Sequence, residues 1–355
     1  MLANRSVTEI ALGTLGLTGA WFRGRRPFIV NHLLTLRCNL ACPFCYVSGP
    51  EQVEFNQQRY PRGAEMDRQT MRSFYRELID RGFKIAIMLG GEPLLRDDLG
   101  ELLEMVAGKL WTTVFTNGYL LADRHELVGH ATNLFVSLDA PDEHHDELRG
   151  RPGSFQRALA GIEEVRAHHP SVKVAVNMTV TKGNVHRVGE MIPFARELGV
   201  PLAFQPPSYE GQFALDDRPS HDSVSHTPDP EAVAEAFLIV RGAAARGERI
   251  IGSHAFFDLV IDNQPTYPCH YPKYVLGPVM PNGDVVGCVK SRAIANVQES
   301  TVDTIVRGEA FGANAAAGPS CSRGCRDWGI HDLSAIRNRR FGLADVSSYY
   351  GAFAR

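Results

Sequence analysis

Cys38, Cys42 and Cys45 stand in one octapeptide, Cys38-Asn39-Leu40-Ala41-Cys42-Pro43-Phe44-Cys45, and no other stretch restricts the chemistry of this chain so tightly. Thiolates at C-x3-C-x2-C spacing converge on one small metal site, and thiolate is the usual ligand of iron–sulfur clusters. Three thiolates are one short of a filled [4Fe–4S] cube. Either a distant residue completes the set or one iron stays open to a substrate. A zinc knuckle or a group of buried thiols is the plainer alternative. Zinc sites usually pair two such units at a characteristic distance, and no second unit lies nearby.

With 355 residues the chain is long enough for a large α/β unit and an appendage. Its formal charge of −3, with acids and bases interspersed, leaves no electrostatic footprint for nucleic acid. Seven cysteines fall into two groups, 38–45 and then 269, 288, 321 and 325, with more than 220 cysteine-free residues between them. Secreted disulfide frameworks are shorter and denser, so metal ligation in a reducing, cytoplasmic setting is the better account. Residues 10–22 (IALGTLGLTGAWF) are apolar and run into Arg23, Arg25 and Arg26. That run is too short to span a bilayer and lacks the order of a signal peptide. It reads first as an N-terminal helix on the outside of the main unit. Its second reading is a surface-lying anchor, a peripheral membrane contact through residues 10–26.

Phe28 to Leu36 is a compact apolar run that reads as a buried strand just ahead of the cysteines. After a polar stretch, Asp67 is placed to cap a helix in which Met71, Phe74, Tyr75, Leu78 and Ile79 recur at helical spacing, ended by Arg81-Gly82. Strand, turn and helix then alternate. Lys84–Leu89, Trp111–Thr116, Asn133–Ser137, Val172–Thr181 and Pro201–Gln205 are the strands. Helices fall near 97–108, 123–128, 154–168 and 184–198, with one more at 231–245. Six or seven such units with short connections imply a parallel sheet, and they fall short of the eight of a full barrel. Beyond His254 the texture turns to Pro, Gly and aromatic residues. There Val275–Met280 and Val285–Val289 flank Pro281-Asn282-Gly283-Asp284, a hairpin signal, and a helical stretch follows near 302–307.

Three further groups carry chemistry. Gly90-Gly91-Glu92-Pro93 closes a strand at the edge where parallel sheets place ligands; its glycines let backbone approach a ligand, and Glu92 can accept from an ammonium group. Ser137-Leu138-Asp139-Ala140 closes the fourth strand and leads to His145-Asp146-Glu147-Leu148-Arg149-Gly150 and Gly153-Ser154-Phe155. Arg149 is matched to a carboxylate, with a surface salt bridge to Asp142 or Glu143 as its bland alternative. Cys269, Cys288, Cys321 and Cys325 supply four thiolates, enough for a second closed cluster or, alternatively, a zinc site.

Taken together, the octapeptide, the GGEP some 50 residues later and the SLDA…HDELRG…GSF series resemble the radical S-adenosylmethionine (SAM) superfamily, and within it the branch with a SPASM or twitch auxiliary domain. The resemblance covers roughly 28–205 and 269–325. It implies a partial (β/α)6-type parallel barrel over 27–250, a small C-terminal hairpin-and-loop auxiliary domain over 251–355 and an N-terminal segment over 1–26. It further implies that Cys38, Cys42 and Cys45 hold a [4Fe–4S] cluster whose open iron chelates SAM. Phe44 then lies near the adenine, Gly90, Gly91 and Glu92 at the amino group, and Ser137 and Arg149 at the ribose and carboxylate. Ala140 stands where the family usually has glycine. Four C-terminal cysteines match the shorter, one-cluster twitch form, with one auxiliary [4Fe–4S] cluster, and metal binding there is expected to be coupled to folding.

The implied activity is reductive cleavage of SAM to a 5′-deoxyadenosyl radical, an electron donor such as flavodoxin or ferredoxin, and hydrogen abstraction from a substrate. A small-molecule substrate (natural product, sugar, lipid or cofactor precursor, oxidised or rearranged) is the first expectation, since only about 27 residues precede the first strand. Crosslinking, oxidation or epimerisation of a ribosomal peptide or protein is the alternative. A non-catalytic metal or redox sensor is the third, and the GGEP and SLDA elements argue against it. Gln205, Tyr209, Glu210, His254, Asp258, His270 and Arg292 are candidates for substrate contact or proton transfer. With all seven cysteines committed to clusters, none is left as the hydrogen donor that epimerisation needs.

Overall fold

The computed structural model describes residues 27–49, 54, 58, 60–206, 226–264, 266–288, 292–321, 325 and 327–337. The segment 10–26 and the candidates Tyr209 and Glu210 lie outside the described residues. The strands form one sheet of ten in the order β10-β9-β8-β1-β2-β3-β4-β5-β6-β7. Seven are parallel and consecutive: β1 (Ile29–Leu33), β2 (Ile85–Leu89), β3 (Trp111–Thr116), β4 (Asn133–Ser137), β5 (Lys173–Thr179), β6 (Leu202–Gln205) and β7 (Ile250–Ile251). Each needs a crossover to reach its neighbour. These are supplied by α1 (Arg68–Arg81), α2 (Leu99–Val106), the short turn His125–Val128, α3 (His144–Arg149) with α4 (Ser154–His168), α5 (Val188–Leu198) and α6 (Pro230–Ala245).

Local chemistry explains these boundaries. Asp67 accepts the Thr70 N–H at 2.8 Å, and Gly82 ends α1 in the left-handed region at φ 93°. Alternation in the strands sorts the side chains. Val30, Ala86, Met88, Val114, Leu134, Val136 and Val176 are buried against the helices in the main core, which also takes Met71, Phe74, Tyr75 and Leu78 of α1. On the other, concave face Phe115, Phe135, Ala175, Ala203 and Ile251 form a separate small cluster, with Phe115 and Phe135 stacked at 4.8 Å. Toward the strand ends this face is only half-buried, at Ser137, Asn177, Thr179 and Gln205. A period of two thus yields a dry convex face and an accessible concave one.

The C-terminal part carries the expected hairpin and joins it to the main sheet. The hairpin is present, with Met280 N–H donating to Asp284 O at 2.7 Å, but its first strand β8 (Val275–Val279) is buried throughout and pairs in parallel with β1. Ile29 faces Val275, Val30 faces Leu276 and His32 faces Val279. The main sheet therefore continues through β8 into antiparallel β9 (Asp284–Val286) and β10 (Ala293–Asn296). The change of texture at His254 also conceals helices. Ser253 caps α7 (His254–Ile261) by accepting the Phe256 N–H, and α8 (Tyr271–Tyr274), α9 (Val302–Arg307), α10 (Glu309–Ala317) and α11 (Trp328–Arg337) follow. Asp332 of α11 accepts both the N–H and the hydroxyl of Ser253, tying the end of the described chain to the cap of α7.

Candidate functional site

The cysteine loop leaves the C-terminal end of β1. Cys45 N–H donates to Cys42 O at 3.0 Å and Gly49 N–H to Cys45 O at 3.0 Å, a helical turn that brings the later thiols round to one side. Backbone N–H groups point at the sulfurs: Leu40 at Cys38 Sγ (3.4 Å), Val47 and Ser48 at Cys45 Sγ (3.4 and 3.3 Å), with the Ser48 hydroxyl also at 3.3 Å. The Asn117 amide reaches Cys38 Sγ at 3.6 Å, and an Arg149 guanidinium nitrogen lies 4.0 Å from Cys42 Sγ. A shell of donors and one buried cation around three unbridged thiols suits thiolates, and so fits a cluster ligated here. Burial first, with Cys45, Asp139 and Cys38 adding to the rise, pushes the Cys42 thiol up to about 12 against the opposing Arg149. Metal must therefore displace protons as it binds.

Gly90 and Gly91 are required for a different close approach from the expected one. A methyl at Gly90 (φ 145°) would sit 2.2 Å from Thr35 O, and one at Gly91 would sit 2.1 Å from Arg37 O. Their absent side chains let the turn press on the segment entering the cysteine loop, where Gly91 N–H donates to Thr35 O and Glu92 N–H to Arg37 O, each at 2.8 Å. From the far side Arg96, itself buried, donates to Leu34 O and Met66 O and pairs with Asp98 at 2.7 Å. The loop is thus clamped by backbone before any metal is considered.

Glu92 is fully buried at the same edge. Its carboxylate accepts Leu94 N–H (3.0 Å), Thr116 Oγ1–H (2.8 Å) and Asn117 N–H (2.8 Å). Burial nonetheless pushes its pKa up to about 7 against those three donors and Arg149. Arg149 is not the surface residue of the bland alternative. It is buried, donates from Nε to Asp139 Oδ2 at 2.6 Å and lies 5.3 Å from the Phe44 ring, while Asp142 pairs instead with Arg187. Asp139, quoted in the motif but given no role from sequence, also accepts Thr179 N–H at 2.8 Å. His145 Nδ1 accepts the Asp139 N–H at 3.1 Å, and burial, with Arg149 nearby, holds that ring neutral with a pKa of about 4. Asp146 accepts from Gly153, Ser154 and Phe155, so it caps α4 and lies outside the chemistry. Ser137 ends β4 on the concave face, opposite Asn177.

Sequence reasoning gave no role to Asn117 or to Asp139. The signal for both was their place at the C-terminal end of a parallel strand. Among the substrate candidates, Gln205 ends β6 on the concave face beside Thr179. Asp258 pairs with Arg241 at 2.7 Å, both about half exposed on the outer helices. His254 opens α7 at its first residue, His270 N–H donates to Ser334 Oγ, and Arg292 is exposed.

Of the four later thiols, Cys288 and Cys321 lie within electrostatic reach of Cys269, and Cys325 shares Tyr267 with Cys269 as a neighbour. Burial pushes Cys269 up to about 12, and Cys288 and Cys321 push the same way. Both Cys269 and Cys325 raise Tyr267 as well, after burial. Cys269 and Cys325 pack on Phe28, Ile29, Tyr271, Tyr274 and Val275, beside Ile85 and Ile87 of the concave face. Cys45 packs with Leu33, Val47, Met280 and Val286, so the hairpin lies against the cysteine loop and leads within two residues to Cys288. Both thiol groups therefore border the same face of the sheet.

Residues 33–193 match the family described as the radical SAM superfamily. An AdoMet-dependent heme synthase of Methanosarcina barkeri is 34% identical over 180 residues, 49% of this chain and 48% of that protein. A PqqA peptide cyclase of Gluconobacter oxydans is 27% identical over 323 residues, 83% of each. The chain spans only 42–48% of the length of the heme synthases it matches. In fold it is similar to Streptococcus suis SuiB bound to the precursor peptide SuiA, with a TM-score of 0.62 at 16% identity over 91% of this chain and 78% of that one. Among the described residues no helix is long and apolar enough to cross a membrane. The thiol loop, the parallel sheet and this match agree that residues 33–193 form a domain of the radical SAM type, a superfamily whose members bind a [4Fe–4S] cluster and SAM.

Proposed function

We propose that this protein is a radical enzyme in which Cys38, Cys42 and Cys45 hold a [4Fe–4S] cluster with one iron left for SAM. The observation that carries this reading is the clamped thiol loop with its inward N–H donors at the C-terminal edge of a parallel sheet. When bound, the cluster supplies the electron that splits SAM into methionine and a 5′-deoxyadenosyl radical, the species that takes hydrogen from the substrate. The chain's own residues bind and orient. Asp139 holds Arg149 beside Cys42 and Phe44, where the remaining guanidinium edge meets the SAM carboxylate. Glu92, braced by Leu94, Thr116 and Asn117, takes the ammonium group and is charged by it, a partner that offsets the burial raising its pKa. Ser137 on the concave face meets the ribose. Cys269, Cys288, Cys321 and Cys325 hold an auxiliary cluster on the same face, placed for electron transfer.

For the substrate we favour a peptide or protein side chain, because the PqqA peptide cyclases match along 83–85% of this chain. A small molecule is the second reading. It rests on the heme synthases, whose matches are confined to about half of the chain. Anaerobically reconstituted protein, given SAM and dithionite, should release 5′-deoxyadenosine, measured by mass spectrometry; none above a no-protein control would end the proposal. A peptide that accelerates this release while an iron porphyrin does not would favour the first substrate reading, and the reverse would favour the second.

A further inference from the structure

At the opposite edge of the sheet, three ligand-type side chains converge. His125 opens the turn His125–Val128 in the crossover from β3 to β4, and Glu164 and His168 lie four residues apart in the last turns of α4. That spacing puts both on one helix face. One ligand atom from each of His125, Glu164 and His168 lies within 4.8 Å of the other two. The His125 and His168 rings stack with centroids 4.8 Å apart. Both connections feed the N-terminal ends of strands, whereas the cysteine loop leaves the C-terminal end of β1.

A fourth histidine supports the set from behind. His169 Nε2 lies 3.0 Å from His125 Nδ1, so one ring donates to the other. The His169 ring is itself confined, because a methyl on Gly129 would fall 2.7 Å from its Nδ1. Once His125 gives its Nδ1–H to His169, its lone pair resides on Nε2. Metal-binding imidazoles are oriented in this way by a partner on the other ring nitrogen. The 3.1 Å pair between His168 and Glu164, taken alone, is an ordinary half-exposed helix pair; it needs neither His125 stacked on it nor His169 behind it.

We propose that His125, Glu164 and His168 form a metal site separate from both thiol groups, taking one divalent late first-row ion, with zinc as the expected occupant. Two imidazoles and a carboxylate are a ligand set for such an ion, with a fourth position left to water. The ion would staple the β3–β4 crossover to the end of α4, remote from SAM chemistry.

The test uses protein whose clusters are loaded, so that iron occupies the thiols. It is titrated anaerobically with zinc against a fluorescent chelator, then desalted, and zinc and iron are counted by plasma mass spectrometry. Wild type should keep about one zinc per chain. His168→Gln, at a largely exposed side chain, and His125→Gln should each weaken zinc binding by about tenfold or more with iron unchanged. A thermal midpoint raised by zinc in wild type and not in His168→Gln would agree with this. No zinc on wild type, or equal retention by wild type and both variants at constant iron, would overturn the site.

Discussion

Replacing Gly91 by alanine tests whether the cysteine loop is held by backbone pressure or by its metal. The new methyl would lie 2.1 Å from Arg37 O, 2.6 Å from the Arg37 carbonyl carbon and 2.8 Å from Leu36 O. All three are backbone atoms, so no flexible side chain can swing aside. Relief requires the turn and the loop to part, which breaks the Gly91–Thr35 and Glu92–Arg37 hydrogen bonds. Overpacking of this kind costs about 1–3 kcal/mol and each lost hydrogen bond about 0.5–1.5 kcal/mol, so about 2–6 kcal/mol is expected in all. That is a large share of the stability of a typical domain. Gly63→Ala is the control, since a methyl there meets nothing within 4 Å. Urea unfolding of the metal-free protein and iron content after anaerobic reconstitution are the two readings. Gly91→Ala should lower both, and Gly63→Ala neither. Equal midpoints and equal iron for the two variants would refute the clamp.

Other outcomes follow from the same geometry. Substituting Cys38, Cys42 and Cys45 together by alanine should leave about half the iron of reconstituted protein and abolish 5′-deoxyadenosine formation, and full iron retention would rule out the assignment. Arg149→Lys keeps the charge but loses the fork and the bond from Nε to Asp139, so SAM affinity by equilibrium dialysis should fall by about 1–3 kcal/mol; unchanged affinity would leave Arg149 a purely structural ion pair. Glu92 titrates at about 7 in the fold and at about 4.3 in the unfolded chain. The stability it contributes is present below the lower value and is lost as pH rises through the upper one. Glu92→Gln should therefore flatten the fall in stability of metal-free protein across that window, by on the order of 3 kcal/mol, and parallel curves would contradict the burial argument. Replacing Cys269, Cys288, Cys321 and Cys325 by alanine should remove about half the iron while β8 keeps its hydrogen-exchange protection. Loss of that protection would mean that metal orders the strand.

Much of the fold was legible because period and caps agree. Trp111–Thr116, Asn133–Ser137 and Ser154–His168 appear with the boundaries read from sequence, and Asp67 and Gly82 bound α1 as expected. What escaped was decided by distant partners. Ile250–Ile251 is a strand only because β6 lies beside it, and α7 is hidden in an apolar run, His254–Ile261, with no polar alternation to expose it. The thiols, Glu92 and Arg149 announced themselves by type and spacing. The role of the two glycines did not, since the segment they press on lies more than 50 residues earlier. Nor did that of Asp139, which gains its meaning from an arginine folded back onto it and from Thr179 on the next strand.

The four later cysteines illustrate the same dependence on a larger scale. Read alone, their Gly- and Pro-rich surroundings suggest a small unit that cannot bury enough apolar surface and so folds around its metal. The sheet order reverses the dependence. All five residues of β8 are buried, and its backbone is paired with β1, an interior strand that stands fourth among the ten. Leu276 and Val279 join the main core, and Val275 packs with Phe28, Ile29 and Tyr274. Each fully buried side chain of this kind is worth about 1.5–3 kcal/mol, an interaction present whether or not a metal is bound. Gly277 shows how closely the two strands are fitted, since a methyl there would fall 2.4 Å from Asn31 O. Cys288 thus follows a hairpin rooted in the barrel sheet, and Cys269 precedes it by way of α8. The cysteine loop springs from β1, the strand on which that hairpin is seated. One sheet therefore fixes the relation between the two thiol groups, and the metal completes a position that hydrophobic burial has already set.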